Sequence, residues 1–143
     1  METSAYEKDF CAWADTNVRL LRLGRFSEID VEHIAEELEG MTRSERRELG
    51  SRLAVLMAHL LKWRFQPERR SESWRSAIDV QRGDIADLLE ESPSLRHGID
   101  ERIGRAYAKA IRLASGETGL SRSTFPEECP FTIDQLLDEA FWP

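Results

Sequence analysis

The segment LGSRLAVLMAHLLKW, Leu49 to Trp63, constrains the fold more than any other part of the chain. Leu49, Leu53, Leu56, Leu60 and Trp63 recur at helical spacing, and the run between them is apolar on nearly every side. In water such a helix needs other helices around it, so the segment predicts a central helix in an all-α domain. Pro67 stops it, because the ring removes a backbone donor and clashes with the preceding turn. The predicted limits are about 43 to 65.

The flanking segments carry the same periodicity. Phe10, Ala14, Val18 and Leu21 predict a first helix over about 5–23, stopped by Gly24. Asp30 is expected to cap a short second helix with the stripe Ile34, Leu38 and Met41, ended by Gly40. Thr42 and Glu45 have the S/T-x-x-E form of a capping box, which predicts that the third helix opens as the second closes and that the two are antiparallel neighbours. A fourth helix is expected to start near Ser71 or Ser73 and to carry Trp74, Ile78, Ile85 and Leu88 or Leu89. Ser92 and Pro93 are expected to end it and to begin a fifth, with the stripe Leu95, Ile99, Ile103, Ala106, Ala110 and Leu113. After Gly116, Gly119, Pro126 and Pro130 predict an extended segment over the surface, and Thr132 with Gln135 forms a second capping box opening a short terminal helix. No strand-like alternation or internal repeat appears. The expectation is a single all-α domain over 1–143: a five- to six-helix bundle with a central third helix and an extended C-terminal segment ending in a short helix.

Composition is consistent with this and narrows the setting. At 143 residues, one domain buries roughly two-thirds of its unfolded surface and needs neither metal nor disulfide to fold. No apolar run approaches the ~20 residues of a membrane span, and METSAYEKDF lacks the basic start and apolar core of an export signal, so the expected location is the cytoplasm. Cys11 and Cys129 form no metal or disulfide motif. Cys11, within FCAWA, is expected to be buried and inert, and Cys129 more exposed.

The motifs YEKDFCAW, GRF, RSERRELGSRL, HLLKWRFQPERRSESWR, ESPSLR and TFPEECPFTIDQLLDEAFWP, in this order from Tyr6 to Pro143, resemble the bacterial domain of unknown function 29. The resemblance implies a compact bacterial helical domain. It supplies no catalytic residue, cofactor or partner.

The sharpest chemical feature is the basic stretch around Pro67. From Arg43 to Arg75, nine basic residues stand against four acidic ones, in a chain of net charge −7. A phosphate-binding face would show this asymmetry. The expected antiparallel neighbour, however, supplies Glu28, Asp30, Glu32, Glu36, Glu37 and Glu39, so internal ion pairing is the favoured reading and nucleic acid is disfavoured. If a ligand or partner docks at the corner, Arg69, Arg70 and Arg75 at the start of the fourth helix are the candidate residues. Trp63 and Trp74 are expected to fill the helix junction, with stacking as the alternative role. Phe141 and Trp142 require docking, either on the bundle or on another chain, which makes Trp142 a further candidate contact.

No P-loop, dinucleotide fingerprint, nucleophile elbow or H-E-x-x-H motif occurs. His33 and Glu37 share a helix face at i, i+4 and suggest a metal site; His59, the obvious third ligand, is placed too far along the expected hairpin and is read as a hydrogen-bonded core histidine. The sequence therefore favours a non-catalytic interaction module with an unidentified protein partner and no cofactor. A nucleic-acid-associated regulator using Arg43, Arg46, Arg47, Arg69, Arg70 and Arg75 is the first alternative, and a metal-dependent hydrolase around His33 and Glu37 the second.

Overall fold

A computed structural model describes residues 4–143. The architecture is all-α, and no strand occurs among the described residues. Six α-helices follow in order: α1 Ala5–Lys8, α2 Phe10–Arg22, α3 Val31–Phe65, α4 Glu72–Glu91, α5 Ile99–Thr118 and α6 Ile133–Leu137. The chain divides into two compact units, Met1–Ser44 and Glu45–Pro143.

The principal departure from expectation is α3. The sequence predicts two antiparallel helices with a break at Gly40; the structure has one 35-residue helix through that point. An interior glycine costs only about 1 kcal/mol relative to alanine, too little to stop a helix without a proline or a left-handed residue. The Thr42 hydroxyl caps nothing. It donates to the Glu39 carbonyl one turn back at 2.9 Å, a bond made inside a helix.

Smaller differences have equally local causes. The expected first helix is divided at Asp9, whose backbone is extended and whose carboxylate accepts from the Ala12 amide at 3.0 Å, capping α2. Pro93 begins a 3-10 turn, Pro93–Arg96, and α5 starts only after Gly98, which adopts φ 65°. Helix α5 continues past Gly116 to Thr118 and ends at Gly119, with φ 77°, a left-handed conformation that glycine adopts without steric penalty. The second capping box forms as predicted: Gln135 N donates to Thr132 Oγ1 at 3.2 Å, and Thr132 N to Gln135 Oε1 at 3.1 Å.

In the second unit the core surrounds the latter part of α3. Leu49, Leu53, Leu56, Met57, Leu60 and Leu61 are completely buried, together with Ile78 and Ile85 of α4, Ala110 and Ala114 of α5 and Leu136 of α6. Helix α6 packs on α4 and α5. The C-terminal segment is fastened by a polar device as well as an apolar one. Arg82 of α4 is only 2% exposed. It donates to the carbonyls of Leu136 at 2.8 Å, Phe141 at 2.6 Å and Gln135 at 3.4 Å. Burial lowers the Arg82 pKa, opposed by the charges of Asp79, Asp138 and Glu139. Lys62, also buried, reaches Glu117 at 2.6 Å.

The cysteine expectations are reversed. Cys11 is exposed, because Trp13 rather than Cys11 occupies the covered face of α2. Cys129 is partly buried, its sulfur 3.7 Å from that of Met57, and burial raises its thiol pKa.

Two substitutions test this packing. Leu56→Ala is expected to destabilise by about 2–5 kcal/mol through the cavity it leaves, read by chemical denaturation. Arg82→Met is expected to cost about 2–4 kcal/mol, because three carbonyls lose a donor. It should also make the segment after Thr132 the first site of limited proteolysis.

Candidate functional site

In the second unit the corner around Pro67 is an assembly of cations on aromatic faces. Helix α3 ends at Phe65, a 3-10 turn covers Pro67–Arg69, and Ser71 caps α4 by accepting from the Trp74 amide at 3.2 Å. Arg70 lies 4.9 Å from the centre of the Trp63 ring, and its Nε donates to the Trp63 carbonyl at 2.8 Å. Arg75 lies 5.5 Å from Trp63 and 5.0 Å from Trp142, whose ring packs on Trp63 at 4.8 Å. These residues border an open hollow of about 430 Å³ lined by Trp63, Arg70, Ser71, Glu72 and Arg75.

Of the residues expected here, the structure gathers Trp63, Arg70, Arg75 and Trp142. Arg69 is exposed on the 3-10 turn and does not line the hollow. Trp74 is partly buried and faces Lys62, whose Nζ is 5.0 Å from its ring centre. An anion at the start of α4 would meet the Ser71 hydroxyl, which already takes an amide there, and the Glu72 carboxylate in the first turn. That combination is a weak anion site.

The antiparallel helix pair expected to neutralise the basic stretch does not form, because α3 continues through Gly40. The carboxylates of that segment are engaged mainly by their own unit: Glu28 by Arg25 at 2.7 Å, Asp30 by Trp13 at 2.8 Å and by His33 at 2.7 Å, and Glu37 by the Tyr6 hydroxyl. Within the first unit Arg43 approaches Glu39 at 3.8 Å along the same helix. Within the second unit Arg52 pairs with Glu48 at 3.0 Å and Asp84 at 2.7 Å, Lys62 with Glu117 at 2.6 Å, and Arg75 approaches Glu72 at 3.9 Å. The physical reason is the missing turn at Gly40: the expected hairpin does not form.

The first unit is organised around Asp30. Its carboxylate accepts from the Trp13 indole and joins the His33 imidazole, while its backbone amide donates to Asn17 Oδ1 at 2.8 Å. Tyr6 stacks on His33, ring centres 4.1 Å apart and planes 14° from parallel. Its hydroxyl pKa is pushed up to about 12, chiefly by the hydrogen bond to Glu37. His33 and Glu37, the candidate metal ligands, thus face Asp30 and Tyr6 respectively. No group of three metal-ligating side chains occurs among the described residues. His59 belongs to the other unit and is half-buried, its Nδ1 2.9 Å from the Val55 carbonyl.

The feature that periodicity did not reveal is an apolar face on this unit. Ala14, Val18 and Leu21 of α2 and Ile34, Leu38 and Met41 of α3 repeat at i, i+4, i+7, the pattern of a core. Yet Val18 is 44%, Leu21 40%, Leu38 58% and Met41 62% exposed. Between the helices lies a shallow trough of about 160 Å³ bordered by Trp13, Val18, Leu21, Ile34, Glu37 and Leu38. No sequence signal separates such a face from a core stripe, because both obey one period.

These geometries define an all-α chain, without strands among the described residues, with an arginine–tryptophan corner in the second unit and an exposed apolar face on α2 and α3 in the first. The family model of the domain of unknown function DUF29 matches residues 5–142, and the chain belongs to that family. No curated protein and no solved structure matches it. Among the described residues no helix is long and apolar enough to cross a membrane.

The Asp30–His33 pair makes a pH prediction. The hydrogen bond to Asp30 raises the His33 pKa above 6.5, and those to His33 and Trp13 lower the Asp30 pKa below 3.8. The contribution of His33 is complete below pH 6.5 and is lost as pH rises through the folded value; that of Asp30 is present above pH 3.8 and is lost as pH falls through its folded value. Asp30→Asn is expected to return the His33 pKa toward 6.5, read from the pH dependence of its imidazole proton resonances.

Proposed function

We propose that this chain is a non-catalytic, cytoplasmic interaction module whose first unit binds an amphipathic helix with basic flanks on a partner protein. The observation that carries the reading is the exposed apolar face of α2 and α3. Two adjoining helices that border an apolar trough with exposed large side chains form the receiving half of a helix-in-groove interaction. Burying such a side chain from full exposure gains about 1.5–3 kcal/mol, and these are still 40–62% exposed, so roughly half of that remains for a partner to supply and the face favours being covered.

Charge selects the occupant. From Ser4 to Ser44 there are five basic and nine acidic residues, a net of −4. Exposed Glu32, Glu36 and Glu39 lie on the same helix as Leu38 and Met41. A second copy of the chain would bring like charge against like, whereas lysines or arginines flanking an apolar stripe would meet opposite charge. The corner at Pro67 ranks below this face, because its arginines are already seated on tryptophan rings and a backbone carbonyl.

A helical peptide with leucines at i, i+3, i+4 and i+7 and lysine flanks is expected to bind, measured by fluorescence anisotropy. A peptide of the same composition with the stripe scrambled should bind at least about tenfold more weakly, and so should the wild-type peptide to the double variant L21Q/L38Q, which retains good helix formers. Equal binding of the two peptides would refute the proposal. So would sedimentation showing a dimer that L21Q/L38Q dissociates, since the face would then belong to a second copy.

A further inference from the structure

Beyond the apolar face, the second unit holds a cationic groove that no carboxylate lines. Arg46, Arg47, Gly50 and Ser51 of α3 and Arg102, Arg105, Ala106 and Lys109 of α5 border an open groove of about 260 Å³. Five of the eight are cations, drawn from two helices. Arg102, Arg105 and Lys109 follow at i, i+3 and i+7, so they share one face of α5 over ~10 Å of its axis.

None of the five makes an ion pair among the described residues; the pairs formed nearby are Arg52 with Glu48 and Asp84. Arg102 is held in place by its own unit: one terminal nitrogen donates to the Arg46 carbonyl at 3.4 Å. Its Nε is buried and has no hydrogen-bond partner among the described residues. A buried donor left unpaired is costly, so the Arg102 side chain carries unused hydrogen-bonding capacity beside the groove. Gly50 and Ser51 are the α3 lining residues without charge, and neither is bulky, so a compact anion has room between the two helices.

The surroundings define the kind of anion. No aromatic side chain lines the groove, so it has no platform on which a nucleobase would stack. Outside the groove the unit is not basic: from Glu45 to Pro143 there are 15 basic and 17 acidic residues, a net of −2. An extended polyanion gains affinity by covering many cations along its length and would meet carboxylates beyond these five. A short chain of phosphates concentrates several negative charges within the groove and takes charge-assisted hydrogen bonds from guanidinium groups on both sides. We infer that the groove formed by Arg46, Arg47, Arg102, Arg105 and Lys109 is a binding site for a compact oligophosphate, either free or as the phosphate chain of a nucleotide.

Isothermal titration of the full chain with orthophosphate, tripolyphosphate, ATP and a 12-nucleotide single-stranded DNA tests this. Tripolyphosphate is expected to bind at least about tenfold more tightly than orthophosphate and to weaken as salt is raised. The triple variant R47Q/R105Q/K109Q, at exposed positions, should lose at least about tenfold of that affinity with an unchanged melting temperature. Equal affinity for ATP and tripolyphosphate would assign the site to a free oligophosphate, and tighter ATP binding to a nucleotide; both support the inference. Equal affinity for tripolyphosphate and orthophosphate would overturn it. So would tripolyphosphate affinity that survives in the triple variant, or DNA binding that is the tighter and is lost in it.

Discussion

The unbroken course of α3 through Gly40 and Thr42 is the constraint on which the rest depends. A helix interrupted there would set the acidic segment 28–39 against the basic segment 43–52 and cancel one with the other. Because one interior glycine costs only about 1 kcal/mol, the backbone hydrogen bonds continue, and the two segments follow one another along one helix. The acidic side chains then serve the first unit, where Asp30 and Glu37 hold Trp13, His33 and Tyr6. The arginines after Gly40 take other partners or, in the groove with α5, make no ion pair among the described residues.

Those other partners explain why charge counting along the sequence is a poor guide to this protein. Its guanidinium groups are satisfied in three ways. Arg52 takes carboxylates, Arg82 takes backbone carbonyls of the C-terminal segment, and Arg70 and Arg75 lie on the faces of Trp63 and Trp142. Only the first appears as complementary charge in a sequence. A planar, weakly hydrated cation accepts the other two because its faces stack and its edges donate.

The two units differ in what their apolar stripes do. In the second, the stripe from Leu49 to Leu61 meets residues of three later helices and is fully covered. In the first, Trp13 is the one large apolar side chain buried among the described residues, and a hydrogen-bonded cluster at Asp30 holds the hairpin. The same periodicity thus makes a core in one case and an open face in the other. That open face is why the first unit carries the proposed protein-binding role and the second the proposed anion groove.

Features set within a few residues are legible in the sequence: the α-helical class, the stop at Pro67, the start of the fourth helix near Ser71, the Thr132 capping box and the stop at Gly24, which adopts φ 72°. Each depends on a local contest between neighbouring backbone groups, and the residues that decide it stand side by side. Gly40 does not end its helix, because an interior glycine costs little and context settles it. Which carboxylate meets which arginine, which stripe is covered, and that Arg46 and Arg47 share a groove with Arg102, Arg105 and Lys109 were decided only in the tertiary structure. Those outcomes depend on partners distant along the chain, and hydrophobic period and local charge carry no information about which distant partner arrives.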